Sequence, residues 1–302
     1  MAESQRLRRI VVTGATGSIG RHVTRHLLES GYDVTALLRN PDRAALLPDS
    51  VTTALGDVTQ LDSLIDAFES NDAVVHMAVA KSDELVSYDV NVVGAKNVIA
   101  ACHYCRIGRI INMSTQSAKI ARKGIYGETK AQADEAFQSS GLDVVTLRAS
   151  IVYGPELLGV FGQLVGAIGK LPVVPVVGDG KWRSRPMHVR DLSVAVEAVL
   201  ESPAAVGQTY DLGGPDEVTF DQLIDAVSEH LGRTRPRVHV PYRLVLPMVR
   251  LMARVLSSPP VTVSNVLGSN QNVDFDALPL ARDVAFVPTS LQEGLREVLA
   301  DV

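Results

Sequence analysis

The chain has 302 residues, 46% of them hydrophobic, two cysteines and a formal net charge of -5. That length and composition can bury a full core, as one large α/β domain or as a domain plus a smaller lobe. Acidic and basic residues are interspersed, so no basic stripe follows a phosphate backbone and nucleic acid is excluded as a partner. No apolar run approaches the roughly 20 residues of a membrane span.

Arg6, Arg8 and Arg9 lead straight into an apolar strand rather than into a signal-peptide core, so a cytoplasmic protein is expected. From Arg9 to Gly20, "RIVVTGATGSIG" is a strand ending in three glycines. The helix "RHVTRHLLES", a stop at Gly31 and the strand "DVTALLR" follow, one βαβ unit of about 30 residues. The pattern continues with a loop or short helix "PDRAALLP", a strand "VTTALGDV", an amphipathic helix "LDSLIDAFESN" and a buried strand "DAVVHMAV". A long helix "SYDVNVVGAKNVIAACHYC", the strand "RIINMST", the helix "YGETKAQADEAFQSSG" and the strand "DVVTLRAS" complete the run. Cys102 and Cys105 form a lone C-x-x-C without a second pair, read as two small residues at a helix end rather than a metal site.

Strict alternation with continuous apolar strands predicts a doubly wound parallel Rossmann sheet covered on both faces. Beyond "IVYGPE" glycines and prolines become dense and the alternation is lost, which predicts a smaller C-terminal substrate-binding lobe. The expected division is 7–155 for the nucleotide-binding domain and 156–302 for the lobe, with parts of about 183–213 returning to pack on the sheet. Within the lobe, "TFDQLIDAVSEHLG" reads as a helix capped at Thr219.

A phosphate-bearing cofactor needs backbone N–H groups free of side chains at a helix N-terminus, and Gly14, Gly17 and Gly20 supply that between a strand and a helix. At the end of the second strand, where a carboxylate would bond an adenosine ribose, stands Arg39, with Arg43 close behind. A guanidinium grips a 2′-phosphate and a carboxylate repels it, so NADP (NADPH) is favoured over NAD.

With these motifs the chain resembles an extended short-chain dehydrogenase/reductase, the epimerase/dehydratase family, over nearly its whole length. "TGATGSIG" matches the family's T-G-x-x-G-x-x-G, "GDV" its adenine-side aspartate, and "AVVHMAV" its strand-four motif. "DVNVVGAKNV", "LRASIVYGP" and "PMHVRDL" match three later segments. The resemblance implies that Gly14, Gly17, Ser18, Ile19 and Gly20 line the pyrophosphate, that Asp57 and Val58 hold the adenine, and that Ala78 lies by the ribose. It implies further that Asn91 shapes its helix near the cofactor and that Tyr153 faces the nicotinamide, while His76 and His188 support loops.

Tyr126 and Lys130 lie four apart and project from one helix face. In the family's Y-x-x-x-K the tyrosine is the general acid/base and the lysine holds the nicotinamide ribose. An ammonium about 5 Å from a phenolate contributes roughly 3 kcal/mol at an effective dielectric near 20, which supports the pairing. "NMSTQS" offers the third member, a hydroxyl, at Ser114, Thr115 or Ser117. Register against the family's strand end favours Thr115, with Ser114 the alternate. Only residues 116–125 separate Thr115 from Tyr126, shorter than in nucleotide-sugar enzymes, which argues against a sugar-nucleotide substrate.

The expected activity is NADP-dependent hydride transfer between nicotinamide and a secondary alcohol or ketone, as a reductase or an epimerase. The alternative is a non-catalytic NADPH-binding structural or sensor protein, because the short strand-five loop, "TYDLGGPDEVTFDQLI" and "FVPTSLQEGL" are similar to the Rossmann-type accessory subunit of respiratory complex I and its bacterial relatives. "GVFGQLVGAIG" and "PYRLVLPMVRLMARVL" suggest an apolar or aromatic ketone or alcohol as the small-molecule substrate, and a homodimer is allowed for. "VLPMVRLMARVL", with Arg250 and Arg254, equally suits an interfacial helix or a packed lobe. Trp182 either covers substrate or caps the lobe. His22 and His26 share a helix face at metal-like spacing but lack a carboxylate in the sequence pattern, so they read as exposed.

Overall fold

Residues 7–81, 84–156, 159–245, 247, 249 and 271–299 are described by the structure, a computed structural model. The strands in chain order are β1 (Arg9–Thr13), β2 (Asp33–Leu38), β3 (Thr52–Leu55), β4 (Ala73–His76), β5 (Arg109–Thr115), β6 (Asp143–Ala149) and β7 (Val152–Tyr153). There follow β8 (Val174–Val177), β9 (Arg183–Ser184), β10 (Met187–His188), β11 (Thr209–Leu212), β12 (Val218–Thr219) and β13 (Arg237–Val240). The helices that frame them are α1 (Ser18–Glu29), α2 (Leu61–Phe68), α3 (Glu84–Tyr88), α4 (Gly94–Cys105) and α5 (Gly124–Gln138). The remainder are α6 (Val160–Lys170), α7 (Val189–Glu201), α8 (Phe220–His230), α9 (Leu278–Val284) and α10 (Leu291–Leu299).

Seven strands form one sheet in the order β11-β6-β5-β4-β1-β2-β3, every pair parallel. The α/β doubly wound sheet expected from strand and helix alternation is therefore present. Alternate residues of each central strand serve opposite faces: Val12, Val75 and Ile111 join α1 and α7 in one core layer, while Val11, Val74 and Ile110 join α2, α4 and α5 in the other. Both faces being covered explains why these strands read as continuous apolar runs. Strand order reverses between β1 and β4, the place where doubly wound sheets open a crevice at their C-terminal ends.

A third core layer gathers Tyr153, Phe161, Ile168, Val176, Leu223 and Leu295 beyond the sheet. The chain returns from there through α7, which packs on α1, and β11, which pairs with β6. Helix α8 starts at a reciprocal cap: Thr219 Oγ1 accepts from the Gln222 N–H at 3.1 Å, and Gln222 Oε1 accepts from the Thr219 N–H at 2.8 Å.

The long helix expected over 87–105 is instead α3 and α4 joined by a π-helical turn at Asp89–Val93. Cys102 is buried in the last turn of α4, with burial pushing its thiol well up, and Cys105 is half-buried. Both are free, and no group of metal-binding side chains occurs among the described residues. No described helix is long and apolar enough to cross a membrane. The proposed interfacial residues Arg250 and Arg254 lie outside the described residues.

Candidate active site

The glycine turn joins β1 to α1 at the point where the strand order reverses. Gly14 takes φ +72, and a Cβ there would stand 2.7 Å from the Met77 and Ala78 backbone. A Cβ on Gly20 would meet the Gly14 carbonyl oxygen at 2.1 Å. Two of the three glycines are thus required by close packing of turn, helix and β4. Gly17 is the N-cap of α1; no side chain caps that end, and the first turn carries no acidic residue. The N–H groups of Ser18, Ile19 and Gly20 start the helix without intrahelical acceptors, at the positive end of its dipole.

Thr13, at the end of β1, locks this turn to β4. Its Oγ1 accepts from the N–H groups of Met77 and Ala78, each at 3.2 Å, which leaves its own hydrogen for His76 Nδ1 at 2.8 Å. His76 is therefore the neutral tautomer protonated on Nε2. Burial first, and then the Lys130 ammonium, push its imidazole down to about 3.

On the opposite side of β1, Asp57 Oδ1 accepts from the N–H and hydroxyl of Thr59, both at 2.9 Å. The Val58 carbonyl accepts from Asn97 Nδ2 at 2.9 Å. Arg39 and Arg43, just beyond β2, are exposed. Neither forms an ion pair among the described residues.

Helix α5 presents Tyr126 half-buried and Lys130 only 2% exposed. Lys130 Nζ donates to the Met113 carbonyl at 2.9 Å and enters no ion pair among the described residues. Burial, the largest cause, pulls its ammonium below the usual lysine range, opposed by Tyr126 and Asp134. At the end of β5 the two candidate hydroxyls diverge. Ser114 is buried and donates to Asp134 Oδ2 at 2.9 Å. Thr115, on the other face, accepts from the Ser117 N–H at 3.2 Å. The short loop after it is held by side chains: Gln116 bonds the Arg148 carbonyl, Lys119 pairs with Asp211 at 2.6 Å, and Gln271 bonds the Arg122 backbone at both its N–H and carbonyl.

Asn91, in the π-helical turn, is 1% exposed and reaches both Ala80 and Thr129, so it fixes the loop after β4 against α5. That loop carries Lys81, whose Nζ lies 4.7 Å from the centroid of the Tyr126 ring. No pattern in the sequence singles out Lys81; only its place just past a strand's C-terminal end hinted at a role. Asp134 was equally silent, yet it also accepts from Asn112 and Arg148, organising β5 and β6 behind the site.

Several expectations are corrected. Tyr153 is fully buried, edge-on to His188 at 5.3 Å, with its hydroxyl toward the Ser290 carbonyl at 3.4 Å, because α10 covers it through Gly294. It does not face a cleft. His26 finds a carboxylate after all, Glu197 of α7 at 2.7 Å, and His22 bonds the Pro155 carbonyl at 3.1 Å, so neither is exposed. His188 caps α7 by accepting from the Arg190 N–H at 3.1 Å. Trp182 stacks on Phe220 at 4.9 Å, at the start of α8.

Comparison with known proteins places this geometry. A family model described as the NAD dependent epimerase/dehydratase family matches residues 10–213. The chain is 29% identical to 2-alkyl-3-oxoalkanoate reductase of Stenotrophomonas maltophilia, over 97% of this chain and 98% of that protein. It is 22% identical to the mitochondrial NADH-ubiquinone oxidoreductase 40 kDa subunit of Neurospora crassa, over 84% of this chain and 68% of that protein. The fold matches a dTDP-glucose 4,6-dehydratase of Streptomyces venezuelae, crystallised with NAD, at a TM-score of 0.79 and 21% identity, covering 97% of this chain and 96% of that one. The expectation of an NAD(P)-dependent enzyme type is borne out at the level of these relatives, which are reductases, dehydratases and a complex I subunit. A matched family model over most of the sheet, with its glycine turn and its Tyr126 and Lys130 on one helix, shows that the chain belongs to the NAD dependent epimerase/dehydratase family.

Proposed function

We propose that the protein is an NADPH-dependent reductase of the short-chain type acting on the ketone of an apolar substrate, with 7–155 carrying the cofactor and the lobe from 156 shaping the substrate site. The observation that carries this reading is Lys130: an ammonium buried to 2% exposure, without a carboxylate partner, one turn from a half-exposed Tyr126. Burying a cation is costly and a weak structural device, whereas beside a phenol it stabilises the phenolate.

The uncapped start of α1 fits a pyrophosphate, held by the N–H groups of Ser18, Ile19 and Gly20 beside Gly14 and Gly17. Asp57 and Val58 would border the adenine and Ala78 the ribose. Exposed Arg39, with no carboxylate beside it, supports a 2′-phosphate and hence NADPH. When bound, the nicotinamide supplies a hydride to the carbonyl carbon. Tyr126 donates its proton to the carbonyl oxygen as that oxygen gains charge. Thr115 orients the same oxygen, since Ser114 is already committed to Asp134. Lys130 holds the ribose and the phenolate left on Tyr126. The 29% identical reductase, named for a 3-oxo acid, and the apolar face of α6 support an apolar ketone. Two unpaired cysteines support a reducing, cytoplasmic compartment.

Tyr126→Phe tests the assignment: NADPH binding is retained and reduction of 3-oxo acids and aryl ketones is lost. Unchanged rates across that panel would sink it. The likeness to the 40 kDa subunit favours a second reading, a dinucleotide binder without turnover. Tight NADPH binding with no oxidation by any ketone is its signature.

A further inference from the structure

We propose that Lys81 selects an anionic substrate, holding a carboxylate next to the carbonyl that Tyr126 protonates; this rests on the reading of Tyr126 as proton donor. Lys81 is an exposed cation at the C-terminal end of β4, where the crevice opens. Its backbone is not adrift: the preceding Ala80 is bonded by Asn91 at both its N–H, at 2.9 Å, and its carbonyl, at 3.0 Å. Its ammonium rests over the Tyr126 ring, 4.7 Å from the centroid, and no carboxylate among the described residues pairs with it.

Two cations therefore flank one phenol, and they differ in what they can do. Lys130 is buried and committed to the Met113 carbonyl. Lys81 faces solvent with an aromatic face as its only contact, a weak partner in water. A carboxylate arriving there exchanges that contact for a charge-assisted hydrogen bond. The ring spans the distance between Lys81 and the Tyr126 hydroxyl, so the anion and the reacting carbonyl must be joined through very few bonds. A 3-oxo acid, with one carbon between ketone and carboxylate, meets that requirement; a ketone with a distant acid does not.

The test uses the protein with NADPH bound. Calorimetry compares 3-hydroxydecanoate with its methyl ester, and kinetics compare 3-oxodecanoate with its methyl ester. We expect the wild type to prefer each acid by about tenfold or more, equivalent to about 1.4 kcal/mol. In Lys81→Gln that preference disappears through KM, with kcat and the ester constants kept, and Lys81→Arg restores most of it. Absence of an acid preference in the wild type, or equal losses for acid and ester in Lys81→Gln, overturns the proposal. A matching loss of NADPH affinity in Lys81→Gln assigns the cation to the cofactor and overturns it as well. Failure of the parent reading looks different: Tyr126→Phe reduces both ketones normally, while the calorimetric comparison still judges Lys81.

Discussion

Asn91 Nδ2 donates to Thr129 Oγ1 at 2.9 Å while the same side chain bonds the Ala80 peptide on both sides, so one amide fastens the loop after β4 to the helix that carries Tyr126 and Lys130. Thr129 and Lys130 are neighbours in sequence, and the π-helical turn is what turns Asn91 inward to meet them. Asn91→Leu should lower unfolding free energy by about 1–3 kcal/mol, because the Ala80 groups are left unsatisfied. It should also lower kcat more than it weakens NADPH. Denaturant titration and single-turnover kinetics check both; an unchanged kcat would separate this clamp from the site.

The glycines of the turn are not equivalent. Gly20→Ala forces a Cβ to 2.1 Å from the Gly14 carbonyl, whereas Gly17→Ala meets the same oxygen only at 3.1 Å. Gly20→Ala should cost roughly 1–3 kcal/mol or more of stability, and Gly17→Ala much less. Thermal melts of the two variants without cofactor measure the difference free of any binding effect.

Lys130→Met should leave the melting temperature at pH 7 unchanged or higher while activity falls at least about a hundredfold, since the variant removes a buried cation but also the support of Tyr126. The pH dependence has a definite sign. The folded-state ammonium titrates below its ordinary 10.5, so between those values the unfolded chain binds more protons and stability rises with pH. The wild type should gain stability relative to Lys130→Met as pH approaches 10.5, and parallel curves would contradict the burial.

Acid should act through His76 in the same direction. Its imidazole is held at about 3 rather than the ordinary 6.5, so protons favour the unfolded chain throughout that window and stability is lost as pH falls through it. His76→Gln, which can still accept from Thr13, should flatten this part of the stability curve. Melts at steps from pH 6.5 to 4 give the comparison.

Arg39→Asp should weaken NADPH far more than NADH, by about tenfold or more, because a carboxylate repels a 2′-phosphate and accepts from a ribose hydroxyl. Equal losses for the two dinucleotides would remove Arg39 from phosphate recognition. Fluorescence titration with both cofactors decides it.

Local pattern alone carried much of this protein. Apolar runs such as "AVVH" and "RIIN" specify buried strands because both faces of a parallel sheet are covered, and Gly14 to Gly20 specify a turn because only glycine tolerates the backbone approach found there. The Thr219 cap and the Tyr126 and Lys130 spacing are likewise short-range facts, readable within one helical turn. Tertiary structure decided the rest. That His26 has a carboxylate, that Tyr153 is sealed under α10, that Ser114 is spent on Asp134 and that Lys81 lies over Tyr126 all depend on residues brought from distant parts of the chain. Such contacts leave no periodic trace, because each is set by how whole helices pack on the sheet and not by the conformational preference of the residues that make it.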